Sequence, residues 1–251
     1  MNIVTNASPW ELPTSAGAEF QSTPWTDLRT FAAGTDPVRQ REALERICRS
    51  YWKPLYAFIR RRGYSPDAAR DLTQDFFHHL LKKERLKLAD QRRGRFRSFI
   101  LKSLQNFLAS DWDRRSAKKR DERLVISLDE PIGDGDLFLD PASADESPDR
   151  IYDKLWALGL MARVRRRLEA ELASGEKDSL LRLLPIATME TKAPYSVLAE
   201  QLGKSEDAIK KAVERLRDRW KQLLCEEIAA TVQSVEDVET EMRELLAIVQ
   251  G

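Results

Sequence analysis

Cysteine and histidine are scarce: the 251 residues hold two of each. That leaves no material for a disulfide framework, a zinc cluster or a histidine-rich catalytic centre. Cys48 and Cys225 lie far apart, each among apolar neighbours at helical spacing, and read as buried free thiols. Nothing asks for an oxidising compartment. Glycine (10) and proline (11) are also few, which favours helices, and no convincing strand is found. No apolar run approaches the roughly 18 residues that cross a membrane. Residues 1–20 lack a basic segment followed by an apolar one, so no secretory signal is read there. The expectation is a cytoplasmic protein with no membrane partner.

What is abundant is charge, 33% of the residues, beside 42% hydrophobic ones. The net charge of +1 conceals segregation. Residues 29–120 carry 24 Lys/Arg against 10 Asp/Glu, and residues 121–153 carry 2 against 11. Residues 154–225 carry 15 against 10, and residues 226–251 carry 1 against 7. Basic blocks suit nucleic acid, whereas the acidic joint must serve something else.

The pattern divides the chain into a disordered leader (1–24), a first helical domain (25–120), an acidic flexible linker (121–150), a second helical domain (151–227) and an acidic helical extension (228–251). The fold class expected is all-α, with two small domains. In the first domain a helical pattern runs from Asp36 to Arg62, with Pro54 suggesting a kink or break. Gly63 ends it, and Ser65-Pro66-Asp67 caps the next helix. A third helix has Phe96, Ile100, Leu104, Phe107 and Leu108 as its core side. Later, Leu155, Leu158, Met161, Val164 and Leu168 recur at helical spacing, and another helical stretch spans Asp178 to Met189. In the extension, Val235, Val238, Met242, Leu245 and Leu246 form one stripe.

The most specific local signal lies between Tyr195 and Leu224. A short amphipathic helix, a tight Gly203-Lys204 turn and a second helix capped by Ser205 form a helix-turn-helix pattern, with Leu198, Leu202, Ile209, Val213 and Leu216 as shared core. Its outer side offers Lys204, Lys210, Lys211, Glu214, Arg215 and Arg217, side chains that hold phosphates or read base edges. An ordinary helical hairpin with solvated charges fits the same residues. In the first block Arg92, Arg93, Arg95 and Arg97 flank Gly94 and Phe96. Charge interleaved with an aromatic suits an extruded base and its backbone; a solvated loop with Phe96 in the core is the alternative. Trp112 stacks on a base or closes the core. Asp71, Gln74, Asp75 and His78 line one side of the second helix. They pair with cations on a protein partner, or form a solvated side, or, with His79, a metal site that no ligand motif supports. No phosphate loop, metal cluster or nucleophile–base pair points to an enzyme or to a cofactor. A helix-turn-helix regulator acting without polymerase and a helical scaffold remain as rival classes.

The stretch Tyr51 to Arg120 resembles region two of bacterial sigma factors, above all the extracytoplasmic-function (ECF) group. The matching pieces are Tyr64 through Phe77, and Gly94-Arg95-Phe96-Arg97-Ser98-Phe99-Ile100 through Asn106 to Arg114-Arg115. The helix-turn-helix is similar to region four of the same group. The resemblance implies a transcription initiation factor that is not an enzyme. It implies docking of Asp71, Gln74, Asp75 and His78 on a coiled coil of the largest subunit of the RNA polymerase core. It implies melting of promoter DNA at the minus-ten element by Gln91, Arg92, Arg93, Arg95, Phe96, Lys102, Asn106, Arg114 and Arg115. Reading of the minus-thirty-five element falls to Lys204, Lys210, Lys211, Glu214, Arg215 and Arg217. The acidic linker would thread toward the active-centre cleft, and an anti-sigma factor or other regulator is a partner the resemblance allows. Three features depart from the family plan: Glu214 stands where many relatives carry a neutral or aromatic residue, residues 151–190 are long, and the acidic tail after Glu227 is additional.

Overall fold

A computed structural model describes residues 24–25, 27–28, 36–80, 94–115, 146–173, 178–188, 193–232 and 234–250, with the backbone alone for 111–115, 178–179, 235–236 and 250. Every regular element among them is a helix, so the all-α expectation holds. In chain order these are α1 (Pro37–Arg61), α2 (Pro66–Leu80), α3 (Phe96–Arg115), α4 (Pro148–Ala173), α5 (Asp178–Leu181), α6 (Leu184–Ala187), α7 (Tyr195–Leu202), α8 (Glu206–Ala229) and α9 (Val235–Gln250). None of the described helices is long and apolar enough to cross a membrane.

By their contacts the residues fall into two units. The first takes residues up to 158 from Phe20 onward, with 230–233 and 245–251; the second takes 159–229 and 234–244. The division therefore falls inside α4, later than the 150/151 boundary expected from composition. The chain after the acidic stretch is helical from Pro148, because Ser147 and Pro148 begin a helix as cap and first residue. The Arg150 amide donates to the Ser147 hydroxyl at 3.3 Å, and Asp149 sits in the first turn, where negative charge meets the helix dipole.

In the first unit α1 packs on α2 and α2 on α3. Asp36 caps α1 by accepting from the amides of Val38 (2.9 Å) and Arg39 (3.4 Å), with Pro37 as first residue. Pro54 does not break this helix. An interior proline costs about 3 kcal/mol, but Tyr51, Leu55 and Phe58 around it are fully buried. Each such burial is worth about 1.5–3 kcal/mol, so packing wins. Gly63 ends α1 at φ +90°, a conformation open to glycine. The core adds Leu72, Phe76 and Phe77 from α2, the expected Phe96, Ile100 and Leu104 from α3, and Trp25 and Leu28. Asp27, buried, receives Arg46 in a forked pair, Nη2 to Oδ1 at 2.7 Å and Nε to Oδ2 at 3.2 Å.

In the second unit α8 packs on α6 and α7. The helical stretch expected over Asp178 to Met189 is instead two short helices, since Pro185 has no N–H to continue α5 and starts α6 afresh. Ion pairs tie the second half of α4 to α8: Arg219 grips Glu171 with Nη2 at 2.7 Å and Nε at 2.8 Å, and Arg167 Nη2 meets Glu226 at 2.6 Å. The Arg219 guanidinium holds the Glu171 carboxyl below its ordinary value. From α9, Val238 and Met242 are buried in agreement with the apolar stripe.

The buried residues of α4 match the expected ones at Val164 and Leu168 only. Leu155 and Met161 are half-buried and Leu158 is exposed, while Tyr152, Trp156, Leu160, Val164 and Leu168 are buried. These recur every four residues. Each four-residue step drifts about 40° around a 3.6-residue helix, so no single side stays apolar along α4. A reading that keeps one side selects the wrong neighbours.

Cys48 and Cys225 are free and buried. Burial, with Glu45 nearby, pushes the Cys48 thiol up to about 12; burial and Glu226 raise Cys225 as well. Because the thiolate is the reactive form, a colorimetric thiol titration of the folded chain near neutral pH should register neither cysteine within minutes and both in denaturant. Rapid labelling of the folded chain would contradict this packing.

Candidate nucleic-acid interface

The helix-turn-helix is built by local rules. Pro194, extended at φ −60° and ψ 136°, precedes α7. Gly203, left-handed at φ +61°, closes it. The Lys204 amide donates to the Ala199 carbonyl (2.9 Å) and the Gly203 amide to that of Glu200 (3.3 Å), the paired bonds of a Schellman end. Ser205 then caps α8, its hydroxyl accepting from the Ala208 amide at 3.3 Å. Glu206 and Asp207 occupy the first turn, where their charge suits the dipole. Leu198 and Ala199 of α7 and Ile209, Val213 and Leu216 of α8 are buried; Leu202 is only half-buried.

This packing leaves Lys204, Lys210, Lys211, Glu214 and Arg215 exposed. Lys210, Lys211, Glu214 and Arg215 share one side of α8, at the spacings that align side chains along a helix. Asp207 and Asp218 are exposed beside them, so the side is mixed in charge. Arg217, expected with the DNA readers, is a correction. It is half-buried, its Nη2 donates to the Ile186 carbonyl at 3.4 Å and its Nε is enclosed. Its guanidinium thus reaches the α6 backbone.

On α2, Asp71, Gln74 and Asp75 are exposed and His78 half-buried, all on the side opposite the buried Leu72, Thr73, Phe76 and Phe77. The expected acidic side therefore exists as a surface. Asp67 and Arg70 continue it at one end.

At the start of α3, Phe96 takes the core position that was one of its two expected readings. Gly94 turns the chain at φ +117°. Phe96 is fully buried, meeting Trp25 edge-to-face at 4.8 Å and Tyr51 at 5.4 Å. Its ring is therefore core rather than a platform for an extruded base, because an aromatic enclosed by three others loses more by leaving than a stacked base returns. Its amide donates to the Thr231 carbonyl at 3.2 Å. Arg97 is also buried, ion-paired with Asp153, with its guanidinium 5.0 Å over the Trp156 ring. Arg95 is half-exposed. Lys102 and Asn106 are exposed one turn apart on α3, next to exposed Ser98 and Ala109. Gln91, Arg92 and Arg93 lie outside the described residues, as do the side chains of Trp112, Arg114 and Arg115.

Sequence reasoning missed Tyr152, Asp153 and Trp156, and the carbonyl of Thr231. An aromatic pair at 152 and 156 flanking an acid was the available signal, but its target lies 55 residues earlier. Among the described residues no group of three or more His, Cys, Asp or Glu side chains gathers as a metal ion requires. Compared with known proteins, the chain matches no family model, no curated protein and no solved structure.

Proposed function

We propose that the chain is a transcription initiation factor of the sigma class, which takes RNA polymerase core to promoters in the cytoplasm and spends binding energy rather than performing chemistry. The observation that supports this best is the coexistence of two surfaces with different tasks. One is the exposed Lys210, Lys211, Glu214, Arg215 side of a capped helix-turn-helix. The other is the exposed Asp71, Gln74, Asp75 side of α2, with Lys102 and Asn106 exposed on α3. A carboxylate surface repels DNA and suits a cationic protein partner; a base-reading helix suits duplex. The resemblance to regions two and four supplies the assignment of polymerase to the Asp71 side of α2 and of promoter elements to the α8 side and to Lys102 and Asn106.

The mixed charge of the α8 side favours a partner-dependent reader. Asp207, Glu214 and Asp218 offset the cations beside them, so the counterion release that drives free DNA binding is small. Chain, polymerase core and fragmented genomic DNA should together yield a discrete set of bound and transcribed promoters. Failure of the folded chain to co-purify with core removes the reading. Tight, salt-sensitive binding of the free chain to duplex would replace it with a regulator that works without polymerase.

A further inference from the structure

We infer that Asp153 is a positioning residue: through the guanidinium of Arg97 it sets the orientation of α3, the helix that exposes Lys102 and Asn106.

The start of α4 grips α3 at several levels, all within the first unit. Arg97, the second residue of α3, is 6% exposed, and a charge that far from water needs a partner. The Asp153 carboxylate and the face of Trp156 both serve it. The backbone of the same residue is held too, because the buried Tyr152 hydroxyl donates to the Arg97 carbonyl at 2.9 Å. Burial pushes that phenol well above its ordinary value, so it stays a donor. Two turns along α3, Gln105 Nε2 donates to Asp149 at 3.1 Å. The far end of the brace rests on α1, where Arg61 donates to the Glu146 carbonyl and Lys154 meets the Glu146 carboxylate at 3.0 Å.

Arg97 and Gln105 lie along one side of α3, while Ser98, Lys102 and Asn106 lie on the next side round, about 100° away. A rotation of α3 that broke the first contacts would carry Lys102 and Asn106 with it. Arg97 thus acts inside the unit, and its partner on α4 decides where the exposed side chains of α3 sit. The inference about α3 stands on geometry; its consequence for DNA rests on the sigma reading.

The test compares the wild-type chain with Asp153→Asn and Asp153→Glu. In the free chain, hydrogen exchange of the amides of residues 100–106 should be about tenfold faster in Asp153→Asn. Asp153→Glu should return it to within about threefold. The amides of α2, α7 and α8 should be unchanged. With polymerase core and promoter, Asp153→Asn should keep core association and lose about tenfold in permanganate reactivity of the melted DNA. Unchanged exchange at 100–106 overturns the inference. An equal acceleration across α1 and α2 also overturns it, since Asp153 would then serve general stability. If exchange responds as expected but the wild-type chain opens no promoter, the brace stands and the sigma reading fails.

Discussion

Phe96→Ala is expected to lower the stability of the first unit by about 3–5 kcal/mol, the range for emptying a fully buried aromatic site. The ring has no exposed surface. It sits against Trp25, Tyr51 and Phe99, at centroid distances of 4.8, 5.4 and 6.1 Å. Those neighbours come from three separate parts of the chain, so they have little freedom to collapse into the space together. With a native stability of about 5–15 kcal/mol, the loss is a large share of the total. With a urea slope of about 1–3 kcal/mol per molar, the unfolding midpoint, followed by circular dichroism, should fall by roughly 1–5 M. The same variant separates the two roles considered for this ring. A core residue loses stability first; a base-stacking residue would leave the midpoint in place and lose only promoter opening. A midpoint within about 0.3 M of wild type would place the ring outside the core.

Reversal of charge on α2 should do the opposite. Asp71 and Asp75 are exposed, on the side away from Leu72, Phe76 and Phe77. Changing both to lysine should move stability by no more than about 0.5 kcal/mol each, as for other surface substitutions. Association with polymerase core should fall by about 2–5 kcal/mol, on the order of 30- to several-thousand-fold in Kd, because like charges then face each other at the interface. On the proposed reading, duplex binding through α8, which lies in the other unit, should survive. Calorimetric titration of core with the variant measures the association and thermal unfolding the stability. Unchanged association in a stable variant would make this a solvated side without a partner. Equal loss of folding and of both contacts would show only a damaged helix.

Much of the framework was readable before any coordinates. Gly63 and Gly203 as stops, Ser65 and Ser205 as starts, and the shared core of α7 and α8 all follow from rules that act within a turn or two. Each has its geometry in the structure: φ +90° and +61° at the glycines, and 3.3 Å from each serine hydroxyl to an amide three residues on. The exposed sides of α2 and α8 were readable for a related reason, since a strongly apolar side elsewhere on the same helix leaves only one side for water.

The failures have a common cause as well. Arg97 sits in a sequence context that favours a DNA contact yet is buried in the fold, and Arg217 is half-buried against a distant carbonyl. The period of α4 was readable, but its apolar residues satisfy two stripes, and the stripe with Tyr152 and Trp156 won because the larger rings bury more surface. Pro54 signals a break wherever a helix stands alone, and the break is overridden here by the core around it.

Local chemistry, then, was enough to specify an all-helical chain, several of the places where its helices begin and end, such as Gly63, Ser65, Gly203 and Ser205, and the two candidate surfaces on α2 and α8, because caps, turns and periodicity involve neighbours in the chain. Which arginines meet solvent and which are buried was settled by partners far away along it, as by Asp153 for Arg97. The physical reason is that a guanidinium leaves water only where a carboxylate, a carbonyl or a ring face is already waiting, and no rule of spacing says where the fold will put one.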